Sequence, residues 1–379
     1  MRPPRVSIMQ HLVISHHSDV HAIAVLAALK NRGQKVSYIP IDIYPFEDKH
    51  TITLGQGGCR ASFGYADLRF PISISSVWFR RRAITRAFDY CDPWTDEDFR
   101  RRTLSAYAHG LYEWLAVACQ DARWVNPPRA AAAANSKILQ LEFAAAAGLR
   151  IPETIVSNDP DRIRAFSGGS RETIVKSFIP FAWRNEDGQR EVALTSEVGD
   201  IEDIADASLS LQPAIYQHKV PKAFEIRHTV FGDYEFSIRI DSQRRAQTRL
   251  DWRQAPPRRE EISTFRLPQH LSMQCREVMH KLGIVSGSFD FICDKDGDFM
   301  FLEVNEAGQF LWMEELCPEL AVLDGFAAFL CGVPRQEWTP MKQNQLLTIQ
   351  NSRVYKTHAQ THKAIAHRLA VRSPSGMQA

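Results

Sequence analysis

The sequence predicts an α/β unit at the N-terminus followed by an α+β unit, and three features carry that reading. Residues 6–14 are an apolar run, 21–32 have helical spacing up to Gly33, and 36–41 are apolar again, so the chain opens as β-α-β. Pro127 and Pro128 then break the pattern and place a boundary near residue 125. Beyond Gly148, short β-rich runs follow one another and end in a hairpin at 287–309 whose apolar strands carry acidic side chains. The expected division is 1–125, 126–335, and a polar C-terminal helix and tail at 336–379.

The first strand is not followed by a GxGxxG loop, so the opening β-α-β reads as a scaffold and not as a dinucleotide site. Residues 51–78 read as short strands separated by Gly and Pro, ending beside Arg80, Arg81 and Arg82. From Asp96, a helix is expected to turn Phe99, Leu104, Tyr107, Leu111, Leu115 and Ala118 toward the core. In the second unit a helix runs through Lys137 and Leu141 to Ala147, and a strand starts at Ile151. Further strands are expected at 172–177, 214–218, 225–230 and 235–240. The Arg-rich stretch 244–268, with Pro256 and Pro257, reads as a surface loop or lid around Asp251, Trp252 and Arg253, and 180–189 as a second lid.

At 379 residues the chain exceeds one domain of roughly 150 residues, and 44% hydrophobic with 24% charged residues is ordinary for a protein with a full core. With 46 Lys plus Arg against 44 Asp plus Glu, the net charge of +2 gives no field for nucleic acid. The seven Cys include no CxxC, which argues against a disulfide framework or zinc ribbon and for a reducing, cytoplasmic location. Neither a secretory h-region nor a run of roughly 20 apolar residues is present, so no membrane association is expected.

The hairpin carries the chemistry. Its turn, Asp294 to Asp298, is rich in Asp and Gly, and a turn centred near Asp296 and Gly297 sets Asp290 opposite Glu303 with Asn305 on the same face. Carboxylates inside apolar strands are costly to bury unless neutralised, and a divalent cation with oxygen ligands does that. An exposed polar sheet edge is the bland alternative. A calcium loop fits less well, because from Asp294 Gly297 falls fourth and Asn305 twelfth where an EF-hand needs Gly sixth and Glu twelfth.

Lys137 on a helix and Lys176 at a strand end bring cations that a triphosphate needs, and 216–222, halted by Pro221, is a linker whose backbone suits an adenine edge. Arg227 and Arg253 each offer a planar fork to phosphate or carboxylate, whereas Arg239 reads as a structural ion pair. There is no GxSxG, HExxH or Walker loop. His358, His362 and His367 read as a solvated tail helix, and Arg80 to Arg82 with Arg100 to Arg102 as a basic face for an acidic peptide, as interdomain contacts or as solvated surface.

These residues resemble the ATP-grasp ligases and, among them, the graspetide synthetases, the microviridin-type maturases of ribosomally made peptides. The resemblance runs from Val77-Trp78-Phe79-Arg80-Arg81 through Val125-Asn126-Pro127, Lys137, Lys176, Gln217 to Lys222 and Glu225-Ile226-Arg227 to Asp251-Trp252-Arg253. It closes on Phe301 to Gln309 followed by Trp312 and Glu314, the most specific element. The resemblance implies a pre-ATP-grasp domain followed by an ATP-grasp fold, with Lys137 and Lys176 on the phosphates of ATP and Gln217, His218 and Val220 at the adenine. It implies Mg²⁺, as two ions, on Asp290, Glu303 and Asn305, and catalytic roles for Arg227 and Arg253. The chain departs from the family at His218, where Glu or another residue is usual, and at Glu306, often Pro. The implied reaction activates Asp or Glu side chains of a precursor peptide, leader plus core, as acyl phosphates and closes esters or amides with Ser, Thr or Lys. A homodimer is compatible with it. A ligase for small substrates and a non-catalytic ATP-binding module are the competing readings.

Overall fold

The computed structural model describes residues 9–360 apart from 17–18, 42–48, 57, 64–66, 71, 81–96, 169–171, 179–181, 185–189, 193–194, 354 and 358–359. Strand β1 (Gln10–Ser15) leads through helix α1 (Val20–Asn31), capped by Asp19, to β2 (Lys35–Pro40), which pairs with it in parallel. An antiparallel meander follows, β3 (His50–Gly55), β4 (Gly58–Phe63) and β5 (Asp67–Phe70). Strand β6 (Ser76–Phe79), helix α2 (Glu97–Ala118) and β7 (Arg123–Val125) complete a parallel sheet of order β2-β1-β6-β7. Leu12, Val13, Ile14 and Val77 are fully buried, which is why these strands read as continuous apolar runs. The α2 stripe meets the core at Leu111 and Leu115, but Phe99 is 66% exposed, because the first turn lies beyond the cluster that the later turns join.

After Pro127 the Ala-rich stretch is itself a helix, α3 (Pro128–Ala134), and Ser136 caps the next, α4 (Lys137–Ala146). Strand β8 (Thr154–Ser157), α5 (Pro160–Ser167), β9 (Thr173–Lys176), the hairpin β10 (Ala182–Arg184) and β11 (Arg190–Val192), β12 (Ser196–Val198), α6 (Asp206–Leu209) and β13 (Ala214–His218) come next. They give an antiparallel sheet β12-β9-β13-β8. Then β14 (Phe224–Phe231), β15 (Tyr234–Ile240), β16 (Ile262–Thr264), α7 (Gln269–Leu282), β17 (Ser286–Cys293) and β18 (Phe299–Asn305) form a second antiparallel sheet, β16-β15-β14-β17-β18. The stretch 244–268 is therefore not a plain loop, since short 3-10 turns hold it and Ile262 is buried where β16 pairs with β15. Part of the 180–189 lid, and His358, His362, His367, Arg81 and Arg82, lie outside the described residues.

Helices α8 (Leu311–Leu316), α9 (Val322–Leu330) and α10 (Leu346–Asn351) close the chain. Helix α9 packs on α1, and one apolar cluster joins Val25 and Leu29 to Phe231, Phe310, Phe326 and Leu330. Arg32 donates to Asp324 at 2.7 Å across the same contact. A second cluster, between α4, α7 and the hairpin β17-β18, includes Leu271, Val278, Phe289 and Phe301 and supports the site from below.

Candidate active site

Two sheets face each other across a cavity of about 390 Å³, with β9 and β13 on one side and β17 and β18 on the other. Lys137, Lys176, Gln217, His218, Val220, Arg253, Asp290, Glu303 and Asn305 all line it. Arg227 does not, since it lies beside Asp290 on β14, the neighbouring strand.

The hairpin pairs Asp290 with Glu303 and Ser288 with Asn305, but not through a regular ladder. From the turn inward the register runs Cys293 with Phe299, Ile292 with Met300 and Phe291 with Phe301, which on its own would set Asp290 against Leu302. A bulge after Asp290 shifts the pairing by one residue and turns Glu303 toward it. The turn itself is fixed by Asp294, whose Oδ1 accepts from the N–H groups of Asp296 (3.0 Å) and Asp298 (2.9 Å), with Gly297 at φ +87°.

Four cations answer the two carboxylates. Arg227 Nη1 donates to Asp290 Oδ2 at 2.6 Å, both side chains being buried. Lys137 Nζ donates to Glu303 Oε2, and Arg253 Nη1 to Glu303 Oε1 at 3.2 Å. Arg253 is itself aimed by Asp251, which accepts from its Nε (2.9 Å), Nη2 (2.8 Å) and backbone N–H (3.0 Å). Burial alone would raise the Glu303 carboxyl, but Lys137, Arg253 and Lys176 outweigh it and hold the group at about 2, fully ionised. Burial lowers the Lys176 ammonium to about 8, with Glu303 opposing the fall and Arg253 adding to it. Asp290 goes the other way, because its burial outweighs the pull of Arg227.

Asp290 Oδ1 is buried without a hydrogen-bond partner among the described residues, while the opposite oxygen accepts from Arg227. A buried acceptor oxygen of this kind fits a cation. Asp290, Glu303 and the Asn305 amide offer oxygen ligands only, the set suited to Mg²⁺. The described residues contain no group of three or more His, Cys, Asp or Glu side chains that could hold a metal ion, so the two carboxylates and the Asn305 amide leave most of a cation's coordination to other ligands.

At the other end the walls are apolar: Leu141, Pro152, Ile174, Ile215, Ile292 and Leu302. A flat heterocycle fits between them. Gln217 Nε2 donates to Thr154 Oγ1 at 2.9 Å. The His218 ring stacks on Phe166 at 4.3 Å, with its nitrogens facing Glu153 and the carbonyl of Phe166, so its ring is engaged outside any nucleotide contact. The apolar walls carry no signal in the sequence beyond ordinary strand residues. Other residues that sequence reasoning quoted without a role do have places. Asn126 accepts from the N–H groups of Val285 (2.8 Å) and Ser286 (3.0 Å) and donates to the carbonyls of Ser286 (2.9 Å) and Glu306 (3.0 Å), tying β17 to the end of β18. Glu306, the departure from the family pattern, is buried and accepts from Asn135 at 3.3 Å. Glu314 is remote from the cavity and accepts the N–H groups of Leu323 (2.8 Å) and Leu346 (2.7 Å). Trp312 lies against Trp252 at the rim, ring centroids 5.0 Å apart. Arg239, expected as a structural ion pair, donates to Asp241 at 2.7 Å and lies over the Phe224 ring.

No family model matches the sequence, and no curated protein does. Solved structures do. A Chryseobacterium gregarium RiPP-associated ATP-grasp ligase, in complex with ADP and a leader and core peptide, is similar at a TM-score of 0.75 and 25% identity, over 88% of this chain and 100% of that one. The macrocyclase MdnC of Microcystis aeruginosa MRC, bound with precursor peptide MdnA, is similar at 0.73 and 27% identity, over 86% of this chain and 100% of the other. The macrocyclase MdnB from the same source gives 0.66 and 25%, over 85% and 99%.

Proposed function

We propose that this chain, an ATP-grasp ligase resembling the graspetide synthetases, cross-links a precursor peptide by activating its Asp or Glu side chains with ATP. The single observation that carries the reading is the cavity in which one apolar end and one charged end meet, with Lys137, Lys176 and Arg253 ranged around Glu303. Residues 1–125 act as the pre-ATP-grasp domain, 126–335 as the ATP-grasp domain, and 336–379 as a C-terminal extension.

The adenine lies between the apolar walls, with the Gln217 to Val220 backbone at its edge. Lys137 and Lys176 hold the phosphates, Arg253 stabilises charge on the phosphoryl group as it moves, and Arg227, outside the cavity lining, acts on the reaction through Asp290. Asp290, Glu303 and Asn305 hold Mg²⁺, which supplies charge neutralisation for the triphosphate. A peptide carboxylate oxygen attacks the γ-phosphorus as the bond to the ADP oxygen breaks, giving an acyl phosphate and ADP. A Ser or Thr hydroxyl, or a Lys amine, of the same peptide then attacks the acyl carbon, inorganic phosphate leaves, and the nucleophile's proton goes to solvent or phosphate. The 244–268 segment, which brings Trp252 and Arg253 to the rim, shields the acyl phosphate from water.

The test is mass spectrometry of a short acidic, Thr- or Lys-containing precursor peptide incubated with enzyme, Mg²⁺ and ATP. Each cross-link is expected to remove one water, and Glu303→Gln is expected to lower turnover at least about 100-fold while the protein stays folded by circular dichroism. Turnover on free amino acids with no peptide product would favour the small-substrate reading. Nucleotide binding without acceptor-dependent ADP release would leave only a binding module.

A further inference from the structure

The Arg80 motif shared with the resembling family is unused by the reaction above, yet its side chain is among the most enclosed charges in the molecule, 2% exposed. It stands at the end of β6, in the N-terminal unit. Its Nε donates to Asp19 Oδ2 at 2.7 Å, and Asp19 also accepts from Ser15 Oγ at 2.5 Å and caps α1. The same guanidinium reaches out of that unit: Nη1 donates to the carbonyls of Ala307 (3.0 Å) and Gly308 (3.1 Å). Two residues on from Asp19, His21 Nε2 accepts the N–H groups of Phe310 (3.1 Å) and Leu311 (3.3 Å).

The segment held in this way is the turn that leaves β18 at the charged end of the cavity. Within it Ala307 N–H donates to Asn305 Oδ1 and Gly308 N–H to the Asn305 carbonyl, each at 3.2 Å. On its inner side the turn is pressed against the metal-side residues. A Cβ at Gly308 would fall 2.5 Å from Ser288 Oγ and 2.7 Å from Ser288 Cβ, closer than side chains come, and 3.1 Å from Arg227 Nη2, a tight contact. Glycine is needed there for close approach, and Arg80 pulls from the opposite side.

We propose that Arg80 is a positioning residue for the metal and phosphate end of the site, a strut from the N-terminal unit that seats the 305–308 turn on Ser288 and Arg227 and thereby fixes Asn305 beside Asp290 and Glu303. A lysine cannot replace it, because one ammonium cannot hold Asp19 and both carbonyls in the fork that a guanidinium provides. The proposal rests on the assignment of this end of the cavity to a Mg²⁺-bound nucleotide.

The experiment measures binding of a non-hydrolysable ATP analogue by calorimetry, with MgCl₂ titrated and with EDTA, on Arg80→Lys and Gly308→Ala. Both are expected to raise the Mg²⁺ concentration for half-maximal binding about tenfold while leaving metal-free binding unchanged, because each disturbs the ligand geometry from one side of the turn. The double variant is expected to be less than additive, since both act on one turn. Hydrogen exchange in 305–311 is expected to quicken in both single variants without ligand. If Arg80→Lys does not fold, Gly308→Ala with its hydrogen exchange decides alone. Wild-type Mg²⁺ dependence in folded variants, or an equal loss with and without Mg²⁺, overturns the strut. A wild-type protein that binds no Mg²⁺-nucleotide overturns the strut together with the functional reading, whereas normal wild-type binding with insensitive variants overturns the strut alone.

Discussion

Lys176 is the site residue whose charge is most finely set. Burial brings it to about 8 from the ordinary 10.5, so it is mostly protonated at neutral pH and mostly neutral at pH 9. In the ligand-free protein about nine-tenths of the lysine carries its charge at pH 7 and about one-tenth at pH 9, so nucleotide binding that needs the ammonium is expected to weaken about tenfold across that range. Calorimetry at the two pH values, with Lys176→Arg as control, checks this. Arginine stays charged and is expected to flatten the profile, and an unchanged profile in the arginine variant would sink the assignment. The stability sign follows from the same shift. Between about 8 and 10.5 the unfolded chain holds a proton that the folded site has released, so stability gains with rising pH, and the cost of the buried ammonium is fully present below 8. Residue types at this scale were readable from sequence because charge inside an apolar strand stands out. Their partners were not: nothing local in Asp251 or Arg253 announces a bidentate pair aimed at Glu303, fifty residues on.

The hairpin shows where element-level reading succeeds and for what reason. Alternation and an Asp-Gly turn suffice to pair β17 with β18, but the observed turn, with Cys293 on Phe299, centres on Asp296 and not between Asp296 and Gly297, so the expected facing of Asp290 and Glu303 is reached only through a bulge that no pattern reveals. β18 is also the outer strand of its sheet, with a row of backbone groups that needs covering. The loop after α4 and the helix itself cover it. Phe301 N–H donates to the Arg150 carbonyl at 2.8 Å, and Gln140 accepts from Val304 N–H (3.1 Å) while donating to the carbonyls of Val304 (2.8 Å) and Ala134 (2.6 Å). Gln140→Leu keeps the bulk and strands these buried groups, so a loss of about 2–4 kcal/mol is expected. Urea denaturation measures it, and a midpoint equal to wild type would show that the edge is held by packing alone. Glu303 is the neighbour of Val304, so activity is expected to fall more than the stability loss explains.

At the scale of the molecule, the break at Pro127 marks a change of architecture, yet the core runs straight across it. Helix α9, Val322 to Leu330, is buried along its whole length, and part of what covers it is α1: Val25, Leu29 and their neighbours, with Arg32 on Asp324 and Asn31 on Asn344 at 3.1 Å. Asn344 is fully buried and donates to Asp324 (2.7 Å) and to the Ala28 carbonyl (3.3 Å), so part of the polar stretch after 335 belongs to the same body. Composition hides this, because a helix packed between two partners and a helix inside one domain are equally apolar. The consequence is that residues 126–335 are expected not to stand alone. A fragment of residues 126–335 loses α1 and α10 together, exposes Phe326, Ala327 and Leu330, and frees the 305–311 segment from Arg80 and His21. Such a fragment is expected to aggregate or to unfold without a cooperative transition, while the full chain melts in one step that a Mg²⁺-nucleotide shifts upward. Scanning calorimetry on both decides it. A soluble 126–335 fragment melting cooperatively at the full-chain midpoint would mean that the α1 to α9 contact contributes little, and that the N-terminal unit only rests against a body already complete without it.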